Sequence, residues 1–183
     1  MNNPFGIAKI HSVGSIPDRL QLIAKQIDAS IKDPWTRAMS LEIVRGGQMH
    51  GSQAEDDEIA RVFWFMKHNV EYRQDPRDYD YYPTAKRVVQ LGGEDCDGHV
   101  VANNAFLGSL GFMTGAKVIS PDDQNWHIYS MAGVNTRAAP SQRIMLDSTQ
   151  PGSYPGWEPG IMHQRYIYEC TFSNGAAHWK KVR

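Results

Sequence analysis

The spacing of apolar residues changes once along this chain, and that change decides its class. In residues 18–32, Leu20, Ile23, Ala24, Ile27 and Ile31 recur at helical spacing. Asp33-Pro34 reads as a cap with proline at the first helical position, opening a second helix that runs to about Val44 and stops at Gly46-Gly47. Ser52-Gln53-Ala54-Glu55 fits a capping box, and behind it Ile59, Val62, Phe63, Met66 and Val70 form one stripe. A short helix is expected over 85–91, ended by Gly92-Gly93. A central helix over 95–110 follows, carrying Val100, Val101, Ala105, Phe106 and Leu110. After Gly111 the pattern becomes that of strands: 115–120, 126–134 and 143–147, then a Pro- and Gly-rich loop over 149–160. A last strand over 165–172 alternates Tyr166, Tyr168, Cys170 and Phe172 on one face. Residues 73–83 are polar, tyrosine-rich and proline-marked, and read as an ordered surface loop. Helices first and strands later predict an α+β domain, with N-terminal helices packed on a C-terminal antiparallel sheet.

The 183 residues suit one domain overall, with 1–50 as a helical segment packed on a core of 51–183. A hydrophobic share of 41% is enough for a continuous core. The formal net charge of −1, mixed along the chain, offers no basic field for nucleic acid or an anionic membrane. No run approaches the roughly 18 apolar residues of a membrane span. The opening Met-Asn-Asn-Pro-Phe-Gly lacks the basic start and apolar run of a secretion signal, so a cytoplasmic location is expected. Cys96 and Cys170 do not make a disulfide framework.

Cys96 follows Gly92-Gly93-Glu94-Asp95 and opens the central helix. A helix N-terminus carries unpaired N–H groups and partial positive charge, which favours a thiolate. The same N–H groups can hold an oxyanion formed on an acyl carbon. A thiol needs a base and the base an orienting partner. His127, in Trp126-His127-Ile128-Tyr129-Ser130, and Asp147, at the end of the next strand, can supply them. Each residue alone also has a plain reading: an inert small cysteine, a histidine packed beside Trp126, and a turn residue before Ser148-Thr149.

Taken in order, Gly-Gly-Glu-Asp-Cys-Asp-Gly-His, then Asn-Trp-His-Ile-Tyr, then Leu-Asp-Ser-Thr resemble the transglutaminase-like superfamily over residues 59–159. The sequence departs from the family's frequent Gly-Asp-Cys by one extra residue, Glu94. The resemblance implies a papain-like mechanism without a cofactor, with Cys96 as nucleophile, His127 as base and then acid, and Asp147 as orienter. It implies a peptide or protein substrate. Hydrolysis is expected over amine acyl transfer, because the β-sandwich modules of large animal transglutaminases are missing. The Cys96 N–H is the expected oxyanion donor, with Tyr72 a second candidate. Asp95, His99 and Trp126 are expected around the substrate. Cys170 is expected in the core.

Two other readings stand beside this one. Stand-alone domains of this size without a leader resemble proteins of bacteriophages and prophages, which suggests a non-catalytic module of a virion or its assembly partners. Tyr79, Tyr81, Tyr82 and Trp157 could then form the recognition surface. Alternatively, Cys96, His99 and His127, with Asp147, could bind zinc.

Overall fold

A computed structural model describes residues 7–11, 15–47, 52–75, 79–122, 124–133, 143–160 and 163–183. The elements run β1 (Ile7–His11), α1 (Ile16–Ile31), α2 (Pro34–Val44), α3 (Ser52–Asn69), β2 (Glu71–Tyr72), β3 (Tyr79–Pro83) and α4 (Ala85–Leu91). Then come β4 (Gly93–Glu94), α5 (Cys96–Leu110), β5 (Met113–Ser120), β6 (His127–Gly133), β7 (Arg143–Leu146), β8 (Tyr166–Ser173) and β9 (Ala176–Lys181). The molecule is α+β: helices pack on a five-stranded antiparallel sheet of order β7-β6-β5-β8-β9.

α5 is the centre. It is buried continuously from Gly98 to Leu107, as expected of a helix that is apolar on most sides. On one side Val100 and Val101 join Leu20, Ile23 and Ile27 of α1 and Ala116, Val118, Ile128 and Cys170 of the sheet. On another, Ala105, Phe106 and Leu107 join Ile59, Val62, Phe63 and Met66 of α3, with Trp35, Met39 and Ile43 of α2 packed against them. Asn104, buried within α5, donates through Nδ2 to the Val100 carbonyl at 2.8 Å and to Ser130 Oγ at 3.1 Å.

The other sheet face carries a smaller cluster of Ile119, Tyr129 and Ile167, with Met145 beside it. The chain after β7 is fastened over this face. The Gly156 N–H donates to the Met145 carbonyl at 2.8 Å. Glu158 Oε2 accepts from Lys117 Nζ at 2.7 Å and from the Tyr129 hydroxyl at 2.9 Å.

The structure corrects the sequence reading in two places. Residues 79–83 are a strand and not a surface loop; β3 pairs antiparallel with β1, Ile7 opposite Pro83 and His11 opposite Tyr79. Tyr82 is fully buried, so it covers core and offers no recognition surface. The strand ending near Phe172 is not the last one. Asn174 (φ 49°) and Gly175 (φ 72°) form a two-residue turn with both residues in the left-handed region, the geometry that suits strand twist, and β9 returns along β8. Val134, the expected end of a strand, and the Ser52 side chain, at which a capping box is expected, lie outside the described residues.

Candidate active site

Cys96 is placed by a short parallel pairing. β2 and β4 lie side by side, with Glu71 opposite Gly93 and Tyr72 opposite Glu94, and β4 delivers the chain to Asp95. Asp95 caps α5: its Oδ1 accepts from the N–H groups of Asp97 at 2.9 Å and Gly98 at 3.3 Å. This corrects the expectation that those N–H groups hold an oxyanion, because the cap already occupies them. The Cys96 N–H is the first-turn amide that Asp95 leaves free. Asp95 is therefore a structural cap.

His127 and Asp147 come from neighbouring strands, as expected. His127 opens β6; Asp147 stands one residue past β7, and its carboxylate is buried. The His127 Nε2–H donates to Asp147 Oδ2 at 2.7 Å. The second carboxylate oxygen accepts from the Thr149 N–H at 3.2 Å and hydroxyl at 2.6 Å. Ser153 Oγ donates to the Asp147 carbonyl at 2.6 Å, and Lys67 Nζ on α3 donates to Ser153 Oγ at 2.7 Å and to the Gln150 carbonyl. Burial alone would raise the Asp147 carboxyl; the His127 and Thr149 bonds outweigh it and hold it below the usual carboxylate range. Thr149, Ser153 and Lys67 escaped the sequence reading. Only the Asp-Ser-Thr run hinted at them.

The Cys96 sulfur reaches the same place from the helix side. It faces the N–H of Ile128, the residue after His127. Cys96 is half-buried and packs against the cluster that includes Ile128, with Trp126 beside it. Burial, then the carboxylates of Asp97 and Asp95, push its thiol well above the ordinary range. The Asp97 Oδ1 lies 4.0 Å from the sulfur. The expectation of a thiolate favoured by the helix end is therefore corrected: the flanking acids oppose the helix dipole, and the resting group is a thiol.

Those acids form a crowded group. Burial, followed by Asp75, raises Glu94 to about 7. Burial and its neighbours, Asp97 first, raise Asp95; burial also raises Asp97. Tyr72 is 46% exposed, and burial of its hydroxyl, then the nearby Cys96, push it up to about 12, so it is a protonated donor at neutral pH. Trp126 stands on the other side, its ring 5.9 Å from both Tyr166 and Tyr168.

His99 is not on the cleft surface. It is buried, with Nδ1 2.8 Å from Ser148 Oγ. Among the described residues no group of three or more His, Cys, Asp or Glu side chains is arranged to hold a metal ion. A groove of about 560 Å³ lined by Arg143, Glu169, Thr171, His178 and Lys180 lies away from Cys96. Among the described residues no helix is long and apolar enough to cross a membrane. The chain matches no protein-family model, no curated protein and no solved structure, so any functional conclusion stands on the geometry of Cys96, His127 and Asp147.

Proposed function

We propose that this chain is a thiol acyl hydrolase with a transglutaminase-like, papain-related fold, acting on a peptide or other amide through Cys96, His127 and Asp147. The observation that carries the reading is the 2.7 Å contact between His127 Nε2 and a buried, ionised Asp147, with the Cys96 sulfur facing the N–H of the very next residue. Asp147 holds His127 in the tautomer protonated at Nε2, which leaves the Nδ1 lone pair for the thiol proton. Because the thiol rests neutral, its proton passes to His127 as sulfur attacks the carbonyl carbon. The C–N bond then breaks, the imidazolium protonates the leaving amine, and water releases the acyl group. The Cys96 N–H and the Tyr72 hydroxyl are the donors for the oxyanion.

The test uses p-nitrophenyl acetate and intact-mass analysis. Cys96 should become acetylated, Cys96→Ala should not, and His127→Ala should react about a hundredfold more slowly, the scale of a lost general base. Acetyl on other residues alone, or an unchanged rate in His127→Ala, overturns the proposal. The carboxylates that crowd the sulfur favour one second reading, a non-catalytic module that keeps the fold. That reading predicts no acetylation of Cys96 above the level of Cys170.

A further inference from the structure

Next to Asp147 lies a buried polar group that the reaction above does not use. His99 and Asn103 are each 1% exposed, and Ser148 is 5% exposed. Ser148 Oγ accepts from Asn103 Nδ2 at 3.1 Å and is hydrogen-bonded to His99 Nδ1 at 2.8 Å. The other edge of the His99 ring faces the Glu71 carbonyl on β2. His99 is thus wedged between β2 and the start of the loop that carries Asp147. Burial lowers its basicity, to about 4, which keeps it neutral.

We propose that His99, acting through Ser148, is a positioning residue that fixes Asp147 relative to Cys96. The proposal rests on the reading of Cys96, His127 and Asp147 given above. The reason is the closure of a ring of contacts. Cys96 and His99 lie just under one turn apart on α5, about 4.5 Å along its axis. His99 bonds Ser148; Ser148 is covalently next to Asp147; Asp147 bonds His127; and the N–H after His127 faces the Cys96 sulfur. Thr149 and Ser153 belong to Asp147's own loop, and Lys67 ties that loop to α3. Only His99 and Asn103 tie it to the helix that carries the nucleophile, among the described residues. Two anchors on one helix, Cys96 and His99, therefore define where the carboxylate sits.

The experiment reads two signals in the full chain. The first is the His127 tautomer and hydrogen-bonded Nε2–H in protein labelled with ¹⁵N-histidine. The second is the rate of Cys96 acetylation by p-nitrophenyl acetate. Ser148→Ala should keep a cooperative melt, convert His127 from a fixed Nε2–H tautomer to a mixture, and slow acetylation about tenfold or more, as misplacement of a reacting group by a fraction of an ångström does. His99→Leu should do the same. His99→Asn, whose side-chain amide can bond Ser148 Oγ as donor or acceptor, should restore both signals substantially. If His99→Leu does not fold, Ser148→Ala and His99→Asn decide alone. A wild-type tautomer in Ser148→Ala overturns the positioning role. If wild-type Cys96 is never acetylated, the hydrolase reading fails, while the tautomer signal still tests the role of His99 separately.

Discussion

His127 and Asp147 meet across the open ends of two neighbouring strands, Nε2 to Oδ2 at 2.7 Å, and Asp147 commits its other oxygen to Thr149. One carboxylate therefore both orients the ring and closes its own loop. Asp147→Asn should slow Cys96 acetylation by about two orders of magnitude or more, since the amide no longer enforces the required tautomer. It should also change acid stability. The folded carboxyl is held below its ordinary 3.8, so its contribution is present above that pH and is lost as pH falls through the lower folded value. Melting curves from pH 6 to pH 2 should show that loss in wild type and a flatter profile in the variant; parallel profiles would contradict it.

The resting thiol should respond to its acidic neighbour. Asp97 Oδ1 lies 4.0 Å from the Cys96 sulfur, and its charge is among the causes that raise the thiol. Asp97→Asn should speed alkylation of Cys96 by iodoacetamide at pH 8 by about tenfold, a modest share of the Coulomb energy of two charges at that distance. Labelling followed by peptide mapping measures this directly. An unchanged rate would mean that the Asp97 charge does not set the thiol.

Two buried groups should tilt stability in opposite directions with pH. Glu94 is raised from 4.5 to about 7, so its neutral form is favoured in the fold. Its contribution is present below pH 4.5 and is lost as pH rises to about 7, a change of about 3 kcal/mol. Glu94→Gln should therefore match wild type at pH 4 and melt higher at pH 8. His99 is lowered from 6.5 to about 4, so stability falls by about 3 kcal/mol as pH drops between those values. His99→Asn should remove that fall. Denaturant melts at pH 4, 6 and 8 check both slopes.

The strap over the outer sheet face depends on a half-hidden ion pair. Lys117 is 7% exposed and its ammonium bonds Glu158 at 2.7 Å. Glu158→Ala strands that charge and should destabilise the protein by about 3 kcal/mol. Lys117→Met combined with Glu158→Gln should recover most of the loss, because neither charge is then left alone. Chemical denaturation of the two variants makes the comparison; equal losses would count against a stranded charge.

The helical half was legible because its elements announce themselves locally. Asp33 does accept from the Trp35 N–H at 2.9 Å ahead of Pro34, and the stripe of Leu20, Ile23, Ala24 and Ile27 is buried as its spacing requires. The α+β class was legible for the same reason. β3 was hidden because its residues are polar and aromatic and its partner β1 lies some seventy residues away. β9 carried a readable signal, Asn174-Gly175, between Phe172 and Ala177. It went unread because the short run after the turn is charged and exposed. At the site, the order of Cys96, His127 and Asp147 could be read from sequence. What could not be read was how Asp95 spends its oxygens, or that Ser148 reaches a histidine 49 positions earlier. Both depend on side-chain directions that only the packed chain defines.

Because the contacts from α5 through His99, Ser148, Asp147 and His127 lead back to the strand residue that faces Cys96, this region offers few loose ends from which to fray. It should open as one cooperative unit, with amide protons at Ile128, His99 and Asn103 exchanging with solvent at one common opening free energy, well above that of the exposed β9 edge.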